Sequence, residues 1–201
     1  GMGTYCPVPD VTPTLIDQIM AEIFYPMIRS LKKENIKYQG TLFGGIMLTE
    51  EGPQVIEFNT RFGDPETQVV LPLLQTDLVD ILLCVIDGKL ETQRILWKNA
   101  AAVCVVMAAG GYPVSYRKGD EIHGVPRDMD THLLFHAGTR RKSEKLVTNG
   151  GRVLGVTALG SDILYARHEA YEVIRRISFP DAYYRQDIGS PIIQGAMVHP
   201  S

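Results

Sequence analysis

The chain has 201 residues, 45% hydrophobic and 21% charged, with a formal net charge of −3. That balance is ordinary for a globular protein and allows one large domain or two small ones. It lacks the basic surplus of a nucleic-acid binder, and no apolar run is long enough to span a bilayer, so neither nucleic acid nor membrane is expected as a partner. The first stretch, GMGTYCPVPDVTP, is rich in Gly and Pro and reads as an irregular loop. Thr12 then caps a helix with Pro13 at its first position, and Ile16, Ile19, Met20, Ile23, Phe24, Met27 and Leu31 form its apolar face. Pro26 is expected to kink or interrupt that helix. GTLFGGIML, TEEGP and QVIEFN read as strand, turn and strand, a hairpin.

GDPE is a turn that opens a helix, with Asp64 as a cap and Pro65 in the first turn; Pro72 is expected to break it. Asp77 caps a cleaner helix with Leu78, Ile81, Leu82 and Val85 on one face, and Gly88 closes it. From Ala100 the pattern changes to strands: AAVCVVMAAGGYP, HLLFHAGT, KLVTNGG and RVLGVTALG, with TNGG as a hairpin turn and TRRKSEK as a solvated tip. A late helix, SDILYARHEAYEVIRRI, is capped by Ser161 or Asp162 and carries Leu164, His168, Tyr171 and Ile174 on one face, which makes His168 a core residue. These elements divide the chain into segments 1–97 and 98–190, with a tail at 191–201 that has no amphipathic period.

Cys6, Cys84 and Cys104 lie far apart with no CxxC or Cys/His spacing. They read as reduced, partly buried thiols of a cytoplasmic protein. Of the histidines only His136, in FHAGT, draws notice, and a buried, hydrogen-bonded structural role is expected for it. Gly1 reads either as a cleavage scar before an initiator Met2 or as native sequence from something longer.

The chemistry concentrates in VIEFNTRFGDPETQ, residues 55–68. In a strand, alternate side chains share a face, so Glu57, Asn59 and Arg61 point one way and Ile56 and Phe58 the other. Same-face neighbours stand roughly 7 Å apart, within joint reach of one cation. An anionic and a neutral oxygen donor suit Mg²⁺ or Mn²⁺, whose remaining positions waters and phosphates can fill. Arg61 offers a two-toothed contact to an anion. The same spacing fits a solvated edge strand with a charged turn, so period alone leaves both readings open.

The full stretch GTLFGGIMLTEEGPQVIEFNTRFGDPETQ resembles the C-terminal lobe of an ATP-grasp ligase. Within that superfamily it is similar to the glycinamide ribonucleotide synthetase family. GMGTYCPVPDVTP, AAGGYP, YRKGD, FHAGT, TNGGRVLGVTALG and YYRQDIG agree in the same order, so the likeness covers residues 1–189. It implies an α+β fold: the C-terminal portion of an ATP-grasp domain, a largely antiparallel sheet with helices, followed by a small β-rich domain. It implies Glu57 and Asn59 as Mg²⁺ or Mn²⁺ ligands and Met47 against the adenine of ATP. Arg61 and Asp64 would lie near the acyl-phosphate and substrates, and Gly1, Met2, Gly3 and Tyr5 in a loop bordering the substrate site. The implied reaction joins glycine to 5-phosphoribosylamine at the expense of ATP, through a glycyl-phosphate, in purine biosynthesis.

Some features depart from the family. No acid stands on the first hairpin strand, where Gly44 and Gly45 occur, and Glu50 and Glu51 fall in the turn. No phosphate-binding glycine loop of the G-x-x-x-x-G-K-[ST] or G-x-G-x-x-G kind is present. The family's nucleotide-grasping lobe would come from a missing N-terminal half of the same enzyme, so the 201-residue chain alone is expected to be inactive. Two other readings are a half-enzyme or assembly module that needs a partner chain, and a different ATP-grasp ligase.

Overall fold

The computed structural model describes residues 1–126 and 132–190; the 191–201 tail lies outside the described residues. In chain order the elements are β1 (Gly3–Cys6), α1 (Pro13–Ile19), a π-turn (Met20–Phe24), α2 (Tyr25–Lys33), β2 (Phe43–Thr49), β3 (Gly52–Asn59), α3 (Thr67–Leu73) and α4 (Leu78–Asp87). A 3₁₀ turn (Leu90–Thr92) follows, then β4 (Ala101–Ala108), β5 (His132–His136), β6 (Thr139–Lys142), β7 (Lys145–Thr148), β8 (Arg152–Gly160) and α5 (Ile163–Ile174). All named strand pairs are antiparallel, so the class is α+β. Among the described residues no helix is long and apolar enough to cross a membrane.

By contacts the chain forms two units. The first unit comprises Gly1–Pro7, Asp64–Leu73 and Lys98 onward, and the second comprises Val8–Gly63 and Leu74–Trp97. They interleave along the sequence, because β1 and α3 join the sheet that starts at β4.

The first unit is built on a four-stranded sheet in the order β1-β4-β8-β5. β4 explains the unbroken apolar run AAVCVVMA. Ala101, Val103, Val105 and Met107 enter one core cluster with residues of α5, while Ala102 and Cys104 enter another with Val69 and Leu73 of α3. A strand covered on both faces loses the alternation of polar and apolar residues. Thr157 of β8, fully buried, donates from Oγ1 to the Gln68 carbonyl at 3.0 Å, which satisfies its hydroxyl and ties α3 to the sheet.

Several expectations are corrected in this unit. The segment GTYC is a strand, not an irregular loop: Gly3 to Cys6 pair with Val105 to Ala102. Four residues flanked by Gly and Pro carry no period of their own, so β4 imposes the conformation. The buried face of α5 is Ile163, Ala166, Ala170, Tyr171, Val173 and Ile174, while Leu164 is exposed. His168 is exposed beside Glu172 and is not core. Two alanines mark the close approach to the sheet, and their small side chains hide the true face from a hydrophobicity count. TNGG is not a hairpin turn, since β7 pairs with β6 in a separate two-stranded sheet while β8 lies in the large one. Gly150 is required there by crowding: a Cβ on it would stand 2.8 Å from the Gly138 Cα. His136 is hydrogen-bonded to Thr139 Oγ1 at 3.0 Å, as a structural histidine would be, but it is exposed. The YYRQDIG stretch is clasped to α5. The Tyr171 hydroxyl donates to the Arg185 carbonyl at 2.7 Å, and Arg167 donates to the Gln186 and Ile188 carbonyls at 2.7 and 2.9 Å.

In the second unit, Thr12 caps α1 as read from sequence, accepting from the Leu15 N–H at 3.2 Å. Pro26 does not interrupt the helix. Ahead of it the chain widens into the π-turn, where the Tyr25 N–H reaches back to the Met20 carbonyl, and α2 continues through the proline. The hairpin of β2 and β3 forms as expected, with a bulge at Gly45/Ile46. Asp77 caps α4 through Val79 N–H at 2.7 Å, and Gly88 ends it with φ of 68°. Leu78, Ile81 and Val85 are half-buried, whereas Leu82 is exposed together with Val79, Leu83 and Ile86.

Candidate metal face and substrate edge

The hairpin sorts its side chains by face. Phe58 packs edge-on against Phe24, ring centroids 5.9 Å apart, and Gly44 opposite Phe58 leaves room for that ring. A Cβ at Gly44 would stand 2.7 Å from Phe24 Cζ. With Phe58 turned to the helix, its neighbours Glu57 and Asn59 face the other way. Their side chains meet: Asn59 Nδ2 donates to Glu57 Oε1 at 2.9 Å. The strand therefore brings the two expected ligands together on one face, with Glu57 exposed and Asn59 half-buried.

A carboxylate oxygen and an amide oxygen side by side are a donor set for a hard divalent cation. Presenting Asn59 Oδ1 requires only an amide flip, since N and O are assigned from hydrogen bonding. The pair therefore fits such an ion as two ligands of a larger set. Among the described residues no group of three or more His, Cys, Asp or Glu could hold a metal without outside ligands. Gly45 lies opposite Glu57, and Glu50 and Glu51 are exposed in the turn, so Glu57 is the acid of this face.

Arg61 is exposed and donates from Nη1 to the Phe62 carbonyl at 2.9 Å. It makes no ion pair among the described residues, which leaves its charge available to an anion. Met47, opposite Gln54, is 53% exposed. The bulge between Gly45 and Ile46 breaks the simple alternation that would relate its row to that of Glu57.

In the first unit, Asp64 stands in the turn ahead of α3. Its Oδ2 takes the Arg152 Nη2 at 2.6 Å, and its Oδ1 accepts from Gln68 Nε2 at 3.4 Å. Arg152 Nη1 also reaches the Gly1 carbonyl at 3.1 Å. Sequence reasoning missed Arg152, which appeared only as a letter within TNGGRVLGVTALG; nothing local links it to a turn 88 residues earlier. Met2 accepts from the Val106 N–H at 3.0 Å. Gly3 is held by packing, since a Cβ there would stand 2.9 Å from the Cys104 carbonyl, and Tyr5 packs against the core. A separate cleft of about 490 Å³ in this unit, lined by Pro72, Lys98, His132 and Ser161 among others, contains none of the expected site residues.

The fold resembles the biotin carboxylase of Campylobacter jejuni in complex with β,γ-ATP, with a TM-score of 0.65 at 12% identity over 96% of this chain and 42% of that one. That level of identity speaks to the fold alone.

Sequence comparison is sharper. Residues 1–67 match the model of the phosphoribosylglycinamide synthetase ATP-grasp (A) domain, and residues 102–191 match that of the phosphoribosylglycinamide synthetase C domain. The chain belongs to the phosphoribosylglycinamide synthetase family. It is 47% identical over 190 residues to the phosphoribosylamine–glycine ligase of Caldanaerobacter subterraneus subsp. tengcongensis, covering 94% of this chain and 45% of that one. Against the enzyme of the same name from Synechocystis sp. it is 50% identical over 192 residues, covering 94% and 46%. The crystal structure of phosphoribosylamine–glycine ligase from Thermotoga maritima superposes with a TM-score of 0.82 at 37% identity, covering 94% and 46%. The chain thus spans a little under half the length of the relatives it matches.

Proposed function

We propose that this chain forms part of an ATP-dependent ligase that joins glycine to 5-phosphoribosylamine, giving glycinamide ribonucleotide through a glycyl-phosphate. One observation carries the reading: Glu57 and Asn59 meet on the outward face of the hairpin, in a chain whose first 67 residues match this family's ATP-grasp domain. Glu57 and Asn59 would hold Mg²⁺ or Mn²⁺. Such an ion, when bound, offsets negative charge on a transferring phosphoryl group. Met47 would rest against adenine, its exposed thioether meeting the ring by dispersion.

Arg61 would bind the oxygens of the acyl-phosphate, its guanidinium, which has no ion-pair partner among the described residues, fitting two of them at once. Asp64 would face the amine side, where a carboxylate attracts the substrate's nitrogen. Gly1 and Met2 would border the substrate, with Gly3 and Tyr5 anchoring that edge to the sheet. The nucleophile is an amine, so no covalent intermediate on the protein is needed. We assign residues 1–97 to the ATP-grasp domain and 98–190 to the β-rich domain. Three free thiols agree with a cytoplasmic setting.

The test uses this chain joined to the part of a relative that it does not match, assayed for ATP-, glycine- and phosphoribosylamine-dependent product. Glu57→Gln should lower turnover by on the order of 100-fold or more, because the metal face loses its only anion. Asn59→Ala should lower it less, since water can replace a neutral ligand. Parental turnover in Glu57→Gln would sink the assignment. Titrating each metal separately would decide between Mg²⁺ and Mn²⁺.

A further inference from the structure

Arg152 opens β8 and gathers three oxygens. Its Nη2 donates to Asp64 Oδ2 at 2.6 Å, and its Nη1 is shared between the Asp64 carbonyl at 3.3 Å and the Gly1 carbonyl at 3.1 Å. The fork geometry of a guanidinium makes this possible, whereas an ammonium is a single point charge. The side chain is only 25% exposed, so the contacts are partly shielded from water.

The two segments it joins already touch. A Cβ on Gly1 would stand 2.7 Å from Pro65 Cδ. Gln68 completes the arrangement by donating to Asp64 Oδ1, which leaves its own Oε1 buried and without a partner among the described residues. The opposite amide orientation would set that oxygen against the carboxylate, so Asp64 dictates how Gln68 sits. Both carboxylate oxygens of Asp64 are thereby engaged, and the turn after Gly63 is fixed to the strand edge that begins at Gly1.

We propose that Arg152 is a positioning residue: it clamps the Asp64 turn to the Gly1 edge, so that the carboxylate and the Gly1–Gly3 backbone are presented to substrate as one rigid unit. This rests on the reading of Asp64 and the Gly1 edge as substrate-facing. Arg152 itself need not touch substrate, because both terminal nitrogens already donate to the protein. Small losses of placement at such an edge are costly to turnover.

Two measurements test the clamp. In the 201-residue chain, Arg152→Ala should speed amide exchange in peptides covering residues 1–6 and 63–70, with no change in α5, residues 163–174. In the extended enzyme it should lower kcat by about 100-fold while the KM for ATP stays at the parental value. Should Arg152→Ala fail to fold, Arg152→Lys keeps charge and length; it is expected to show the same pattern at reduced size. Unchanged exchange in both peptides would overturn the clamp, as would a KM for ATP that rises in step with the loss of kcat, or an Arg152→Lys enzyme equal to the parent. The ligase reading fails separately, if Glu57→Gln is fully active, and the exchange result then still decides whether Arg152 holds the two segments.

Discussion

The two units differ in what they bury. Every fully buried hydrophobic side chain among the described residues belongs to the first unit, around β4, β8, α3 and α5. The second unit buries Pro53 but contributes nothing to either core cluster, and it exposes Met47, Val55, Ile56, Val79, Leu83 and Ile86. Yet the second unit carries Glu57, Asn59 and Arg61. Its order comes from a hairpin ladder, one aromatic pair and capped helices, while the sheet supplies the apolar burial that dominates folding. The residues proposed for chemistry sit on the more exposed unit, and the apolar burial sits in the other.

Thiol labelling would break this contrast most sharply. Cys104 is fully buried in the sheet, and burial pushes its thiol up to about 11, with the Thr157 hydrogen bond opposing and Asp64 adding to the rise. Cys84 is half-buried on α4. At neutral pH, iodoacetamide should modify Cys84 in the native protein and reach Cys104 only through global unfolding, slower by roughly 10³-fold or more. Comparable rates at the two thiols would show that the sheet is no more stable than the hairpin unit.

Cavity creation probes the same contrast in equilibrium terms. Met107 is 0% exposed and Ile86 is 71% exposed. Met107→Ala should cost about 2–5 kcal/mol in urea unfolding, through lost transfer energy plus the cavity. Ile86→Ala should stay within about 0.5 kcal/mol. Equal losses would mean that α4 is buried in solution.

The smallest effect concerns acid. Asp162 caps α5, and its carboxyl lies below the usual aspartate value of 3.8 because the Tyr165 N–H and then the Ser161 hydroxyl donate to it. A depressed carboxyl stabilises the fold above its unfolded value and loses that contribution as pH falls through the folded one. Asp162→Asn should therefore flatten the decline of thermal stability below about pH 4, leaving higher pH little changed. An identical acid profile in the variant would exclude the cap as its source.

What the sequence disclosed followed from local rules. Asp77 and Gly88 bracket α4 because caps act within a few residues, and QVIEFN reveals its two faces because alternation is short-ranged. The same rules misplaced α5, whose buried face depends on the small alanines 166 and 170 meeting a sheet. They missed β1, which exists because β4 offers an edge, and they missed the Asp64–Arg152 pair because Arg152 enters from a distant strand. The Glu57–Asn59 pair was legible from spacing, and its weight came from likeness to a family.

The π-turn at Met20–Phe24 has a further consequence. A π-turn is a helix holding one residue more than its pitch accommodates, so it acts as a phase shifter between α1 and α2. Removing a single residue from MAEIF would let the two helices merge into one regular α-helix and rotate everything on one side by about 100°. Phe24 would swing out from over Gly44, and Phe58 would lose its partner ring. The packing behind the Glu57–Asn59 face thus depends on a helical surplus far from it in sequence, and a length variant there would strip Phe58 of its partner without altering a single letter of the hairpin.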